Sequence, residues 1–172
     1  MTLEEKVGQL NLVSVGFDIT GPILSENVEE KIKAGQVGGV FNTFTPVAVR
    51  KLQNIAVNET RLGIPLLSGY DVIHGHKTIF PIPLGLSASW DMDLIGRVAR
   101  VSADEASADG VNWIYSPMVD IVRDPRWGRV SESNGEDPYL SSCIARTMVE
   151  NFQLDDLSKE NTVTVSYTHL TL

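Results

Sequence analysis

Apolar residues fall into short periodic runs separated by glycine, proline and polar clusters, the texture of alternating helices and strands. Thr2 and Glu5 stand in capping-box spacing, and Leu3, Val7 and Leu10 fall on one helical face, which predicts a first helix from Leu3 to about Ser14. Gly16, Gly21 and Pro22 break that pattern, and Val28 to Ala34 predicts a short second helix stopped by Gly35. Val37 to Phe41 predicts a buried strand whose paired glycines imply close approach of another backbone. Thr45 and Pro46 then open a helix with Val49, Leu52, Ile55 and Ala56 inward, ending near Gly63. Ile64 to Leu67 predicts the next strand, and Asp71 stands just past its end.

From Asp71 to Trp90 the chain holds Pro81, Pro83 and Gly85, so this long connection is not one helix. Asp91 caps a further helix with Leu94, Val98 and Val101 inward, ending at Asp109 and Gly110. Trp113, Ile114 and Met118 through Val122 predict a buried strand bounded by Gly110 and Pro125. Asp137 and Pro138 open a helix in which Leu140, Ile144, Met148 and Phe152 recur every fourth residue, and a last apolar run begins at Thr162. Strands alternating with helices predict about four parallel strands joined by right-handed crossovers. Two architectures fit, a doubly wound sheet or part of a (β/α)8 barrel, and in both the chemistry lies at the carboxyl ends of the strands. Asp71 and the loop after Asp120 fall there. No glycine-rich phosphate fingerprint follows the first strand, which disfavours the nucleotide-binding version. A barrel usually needs about 250 residues, so the chain would hold roughly its first half.

Composition narrows the partners. The 172 residues suffice for a buried core, and the net charge of −8, 14 basic against 22 acidic groups, argues against a nucleic-acid partner. Cys143 is the one cysteine, so there is neither a disulfide framework nor a cysteine metal cluster. The opening MTLEEKVGQL has neither the basic start nor the apolar run of a signal peptide. Nowhere do ~18 apolar residues run together, so no membrane insertion is expected.

Candidate chemistry concentrates after Asp120. The loop sets Arg123, Arg126 and Arg129 among Asp124, Glu132, Glu136 and Asp137, with Trp127 between two arginines, where turn geometry has no use for it. The plain alternative is a salt-bridged loop packing one aromatic. Asp71, His74 and His76 form a D-x-x-H-x-H cluster just after a strand, which opens a second alternative, a metal-dependent barrel hydrolase.

GYDVIHGHKTIFPIPLGLSASWD (69–91), SPMVDIVRDPRWGRVSESNGEDPYL (116–140) and the opening MTLEEKVGQL resemble family 3 glycoside hydrolases of the bacterial β-glucosidase type. The resemblance covers nearly all of residues 1–163. It implies an α/β fold, the N-terminal part of a (β/α)8 TIM-type barrel, incomplete here. It also implies retaining hydrolysis of terminal non-reducing β-D-glucosyl residues without a metal or other cofactor. Such a reaction needs two carboxyl groups about 5–5.5 Å apart. By resemblance the nucleophile and the acid/base both come from later segments, so no catalytic residue is expected in this chain. What remains is part of a sugar subsite. Asp71 matches the family's acceptor of sugar hydroxyls, and Arg129 its sugar-contacting arginine with five donors in a fixed fork. Lys77 stands where many members have arginine, keeping the charge but not the fork.

In supporting roles, Glu132 would hold Arg129, Arg126 would order the loop, and Trp127 would either stack on a sugar face or pack beneath the loop. Glu136 and Asp137 read as loop-to-helix capping. The implied partners are β-linked glucosides or oligosaccharides, together with a missing C-terminal barrel half and second domain. An extracytoplasmic site, periplasmic or secreted, is expected from resemblance alone. After Val163 the chain reads TVSYTHLTL, which departs from the family pattern, so residues 164–172 are set apart as a non-native-looking tail and His169 is not a site residue. A catalytically inactive carbohydrate-binding or structural fragment is the remaining alternative.

Overall fold

The computed structural model describes residues 1–15 and 26–166. The expected break at Gly16, Gly21 and Pro22 and the tail from residue 167, His169 included, lie outside the described residues. The chain divides into two compact units, Met1–Tyr70 with Asp109–Asn112, and Asp71–Ala108 with Trp113–Leu172. The fold class is α/β with parallel strands joined by helices, as expected.

In the first unit, α1 (Leu3–Gly8) is opened by the capping box: the Glu5 N–H donates to Thr2 Oγ1 at 3.2 Å and the Thr2 N–H to Glu5 Oε2 at 2.7 Å. The helix is much shorter than its sequence pattern suggests. Leu12–Ser14 leaves it to form strand β1, and the apolar face of α1 is turned outward, with Leu3 72%, Val7 59% and Leu10 88% exposed. A three-residue strand with one buried side chain, Val13, wins because its backbone joins a ladder that helix could not supply. It pairs in parallel with β2 (Gly39–Phe41), setting Leu12 opposite Gly39 and Ser14 opposite Phe41. Gly38 shows why the paired glycines are needed, since a Cβ there would lie 2.0 Å from the Gln9 carbonyl oxygen.

Helix α2 (Val28–Lys33) precedes β2, and α3 (Pro46–Asn58) follows it, capped by Thr45 Oγ1 and burying Val49, Leu52, Ile55 and Ala56 as expected. Strand β3 (Leu67–Tyr70) begins three residues later than the apolar run predicts. Pro65 has no N–H to give, and Gln53 of α3 takes both the N–H and the carbonyl of Leu66 at 2.9 and 2.7 Å, so the ladder opens only at Leu67. β3 lies parallel to β2, and Val13, Ile32, Val40, Leu52, Ile55 and Leu66 are among the side chains of the shared core.

In the second unit the long connection from Asp71 contains one short helix, α4 (Pro83–Ser87). It leads to α5 (Met92–Ala108), capped by Asp91, whose Oδ1 accepts from the Leu94 N–H at 2.9 Å. Val101 is exposed, contrary to its expected place. The inner stripe runs through Ile95, Val98, Ala99, Ser102, Ala103 and Ala106, because the small residues are what allow close packing on α6 (Pro138–Gln153). That helix is capped by Asp137 and buries Ile144, Met148 and Phe152, with Leu140 only half buried.

The expected strand through Val122 is cut to β4 (Trp113–Ile114). Pro117 carries no donor, and from Tyr115 onward the backbone is irregular, though Met118 and Asp120 remain buried. β4 pairs in parallel with β5 (Thr164–Val165), so the described residues hold five strands where about four were expected. No helix among the described residues is long and apolar enough to cross a membrane.

Candidate functional site

The second unit gathers the charged residues that follow β3 and β4. Asp71 is the first residue beyond β3, and the chain turns sharply after it because Val72 adopts φ 46°, a left-handed backbone that β-branched residues rarely take. The Val72 side chain is buried, 3% exposed, so the turn is anchored in the core. Next, the loop 74–80 closes on itself: the Phe80 N–H donates to the His74 carbonyl at 2.9 Å, and Gly75 at φ 108° would put a Cβ 1.9 Å from the Thr78 carbonyl oxygen. Only glycine fits there. The outer side of the loop is held by Glu105 of α5, whose carboxylate accepts from the N–H groups of Lys77 and Thr78, both at 2.8 Å, and from the Thr78 hydroxyl at 2.6 Å. Those bonds, the Thr78 hydroxyl first, hold the Glu105 carboxyl below the usual range.

The loop after β4 is clasped at its base. Ser133 donates from Oγ to the Asp120 carbonyl at 2.7 Å, Asn134 from Nδ2 to the Met118 carbonyl at 3.2 Å, and the Val122 N–H to the Gly135 carbonyl at 3.1 Å. Ser133 and Asn134 are both buried, so these bonds are shielded from competing water. Within the clasp, Arg129 forks onto Glu132, Nε to Oε1 at 3.0 Å and Nη2 to Oε2 at 2.7 Å, along a short 3-10 turn at Val130–Glu132. Arg126 is engaged within its own turn, pairing with Asp124 through its backbone N–H and Nε, both at 2.9 Å. Trp127 is half buried in the same turn.

Electrostatics tie these pieces together. Asp71 is open to solvent on one side, yet the protein packed around its carboxyl raises the pKa, Glu132 raises it further, and Arg129 opposes both. Hydrogen bonding to Arg129 pulls the Glu132 carboxyl down, while Glu132, Asp120 and Asp71 all push the guanidinium pKa up. Tyr115, the residue after β4, is pushed up to about 12 by burial and by the Asp71 carboxylate, so its phenol stays a donor at any physiological pH. Its ring is held edge-on by Trp113, centroids 4.9 Å apart.

Arg129 and Glu132 are therefore paired, with Asp71, Asp120 and Tyr115 within electrostatic range of one another or of that pair. Lys77 is exposed and tethered through its backbone to Glu105. Glu136 and Asp137 are exposed at the start of α6, where Asp137 is the cap. Asp71, His74 and His76 do not form a ligand set: among the described residues no three His, Cys, Asp or Glu side chains are placed to hold a metal ion. His74 instead lines a small apolar cavity with Leu86, Val98, Met148 and Phe152. Tyr115 and Glu105 were not singled out in the sequence. The apolar run before Asp120 hides the first, and the second sits on the outer face of a regular helix.

Parallel strands joined by helices, with charged side chains just beyond the strand ends, define this as the N-terminal part of a (β/α)8-type barrel domain. Residues 2–169 match the glycosyl hydrolase family 3 N terminal domain, and the chain belongs to that family. It is 48% identical over 169 residues to the periplasmic beta-glucosidase of Salmonella typhimurium, covering 98% of this chain and 22% of that protein. Among solved structures it resembles a beta-glucosidase from Listeria innocua. In complex with isofagomine the TM-score is 0.83 at 40% identity, over 98% of this chain and 24% of that one. In complex with glucose the TM-score is 0.83 at 38% identity, over 98% and 25%. The chain thus spans about a quarter or less of the length of these relatives.

Proposed function

We propose that the chain is the N-terminal portion of a retaining β-glucosidase acting on terminal non-reducing β-D-glucosyl residues, and that it supplies part of the sugar subsite but not the catalytic pair. Asp71 just beyond β3, within electrostatic range of Arg129, carries this reading: one is an acceptor-only carboxylate, the other a fork of donors, and sugar hydroxyls can engage both. Glu132 spends its two oxygens on Arg129, so it positions the guanidinium and is not placed to attack a sugar. Retaining hydrolysis needs a nucleophile and an acid/base about 5–5.5 Å apart, and both come from segments that follow. β-Linked glucosides as substrates and an extracytoplasmic site are supported by the Listeria and Salmonella relatives. Lys77 and Trp127 remain candidates for outer contacts with the sugar.

The test is an ordering of variants in the full-length polypeptide, assayed on an aryl β-glucoside. Asp71→Asn and Arg129→Lys are severe, because a neutral amide and a point charge each lose geometry that the sugar uses, while His76→Ala is mild. Activity abolished by His76→Ala and spared by Asp71→Asn would sink the subsite reading. The 172-residue chain alone shows no turnover. Residues 164–172 are proposed to be a foreign tail on a domain ending near Val163. Thr164 and Val165 still complete β5, as any sequence rich in β-branched residues can. Resequencing the locus decides it: a genome that encodes Ser166 to Leu172 refutes the tail.

A further inference from the structure

Asp120 is more than nine-tenths buried, and neither oxygen of its carboxylate has a hydrogen-bond partner among the described residues. A buried carboxylate without donors is among the costliest groups a fold can keep, so its surroundings must supply a cation or donor at some stage of the working cycle. The clasp fixes where Asp120 sits, since its own carbonyl is held by Ser133 and its neighbours Met118 and Val122 are tied to Asn134 and Gly135. Arg129 is held on the same clasped loop, by Glu132, the residue next to the Ser133 that holds the Asp120 carbonyl, and the Asp120 charge raises the Arg129 pKa. Arg129 uses only Nε and Nη2 on Glu132, which leaves its Nη1 edge without a protein partner among the described residues. One loop therefore carries unused acceptors and unused donors of opposite charge.

We propose that Asp120 is the second anchor of Arg129. When a sugar enters, the guanidinium keeps Glu132 on its Nε edge and takes the Asp120 carboxylate with one Nη1 hydrogen. One hydrogen on each of Nη1 and Nη2 is then left for sugar hydroxyls. Two carboxylates at an angle fix the plane of a guanidinium, which one ion pair, half exposed to solvent, does not. Asp120 is thus a positioning residue. This inference rests on the reading of Arg129 as a sugar contact.

A double-mutant cycle in the full-length polypeptide tests it, with Asp120→Asn, Arg129→Ala and the pair, reading glucose affinity by calorimetry and the melting temperature of each variant. Asp120→Asn is expected to weaken glucose binding about tenfold in the parent background and not at all in the Arg129→Ala background. In melting, Asp120→Asn should raise Tm more where Arg129 is gone than in the parent, because there the buried charge has lost even the attraction of the nearby guanidinium. An equal rise in both backgrounds means a lone or water-satisfied carboxylate and overturns the proposal, as does an equal loss of glucose affinity in both. Should Asp120→Asn fail to fold, Asp120→Ser completes the same cycle. If Arg129→Ala leaves glucose binding unchanged, the sugar-subsite reading fails, and the Tm coupling still decides whether Asp120 and Arg129 act as a pair.

Discussion

Asp71→Asn should move activity and stability in opposite directions. The amide keeps the shape but replaces an acceptor-only carboxylate, so each hydrogen bond it makes to a sugar hydroxyl loses its charge assistance, roughly 1.5–3 kcal/mol for bonds to charged groups. One such bond corresponds to about a ten- to hundredfold fall in kcat/KM, and two would exceed that. If the bonds tighten as positive charge develops on the sugar ring, part of the loss falls on kcat. Stability has the other sign. The folded pKa of Asp71 is raised by burial and by Glu132, so the native state holds a proton that the unfolded chain has already released. Stability is then lost as pH rises from the ordinary carboxylate value through the raised one, and a neutral side chain escapes that loss. The gain is small, because the residue is solvent-accessible and its charges are screened. Steady-state kinetics on an aryl β-glucoside and a melting curve at neutral and acidic pH are sufficient. A variant with kcat/KM within twofold of the parent, or one that melts several degrees lower at neutral pH, would refute the reasoning.

Arg129→Lys should cost nearly as much activity as Asp71→Asn, and at higher salt the parent should lose sugar affinity as the Glu132 pair is screened; isothermal titration checks both. Glu105→Ala should loosen the loop 74–80, seen as faster amide exchange at Lys77 and Thr78. Because the Glu105 pKa is depressed, its support is complete above the ordinary carboxylate range and fades as pH falls through the lowered value, so exchange in the parent should quicken in acid. Gly75→Ala should destabilise by at least the roughly 1–3 kcal/mol of backbone strain, with the overlap onto the Thr78 carbonyl added, as a denaturant midpoint would show.

What could be read in the sequence was local. Thr2, Thr45, Asp91 and Asp137 announce their helices because a cap and its amides lie within three residues, and the inner face of α3 follows from its period. β1 could not be read this way. Three residues cannot establish a period, and Leu12 and Val13 extend the apolar spacing of α1. The late start of β3 depends on Gln53, 13 residues upstream, occupying the backbone of Leu66. At the site, Asp71 and Arg129 are legible through long motifs, and Glu132 through its spacing from Arg129. Glu105 is not, for its partners lie 27 and 28 residues away, and no residue-level rule places a valine at positive φ.

That valine makes the two sides of the site respond differently to their medium. Asp71 is aimed by the turn at Val72, whose strain, of order 1–3 kcal/mol, is opposed by burial of the side chain, worth a similar amount. Apolar packing is indifferent to protons and is, if anything, reinforced by salting-out ions. Arg129 is aimed by a half-exposed ion pair, which salt screens and acid dismantles. As ionic strength rises or pH falls, the acceptor should keep its bearing while the donor fork begins to wander. Recognition of the sugar would then narrow to hydroxyls facing Asp71 before it fails altogether, so deoxy-sugar analogues compared at low and high salt should lose discrimination on one side of the ring first.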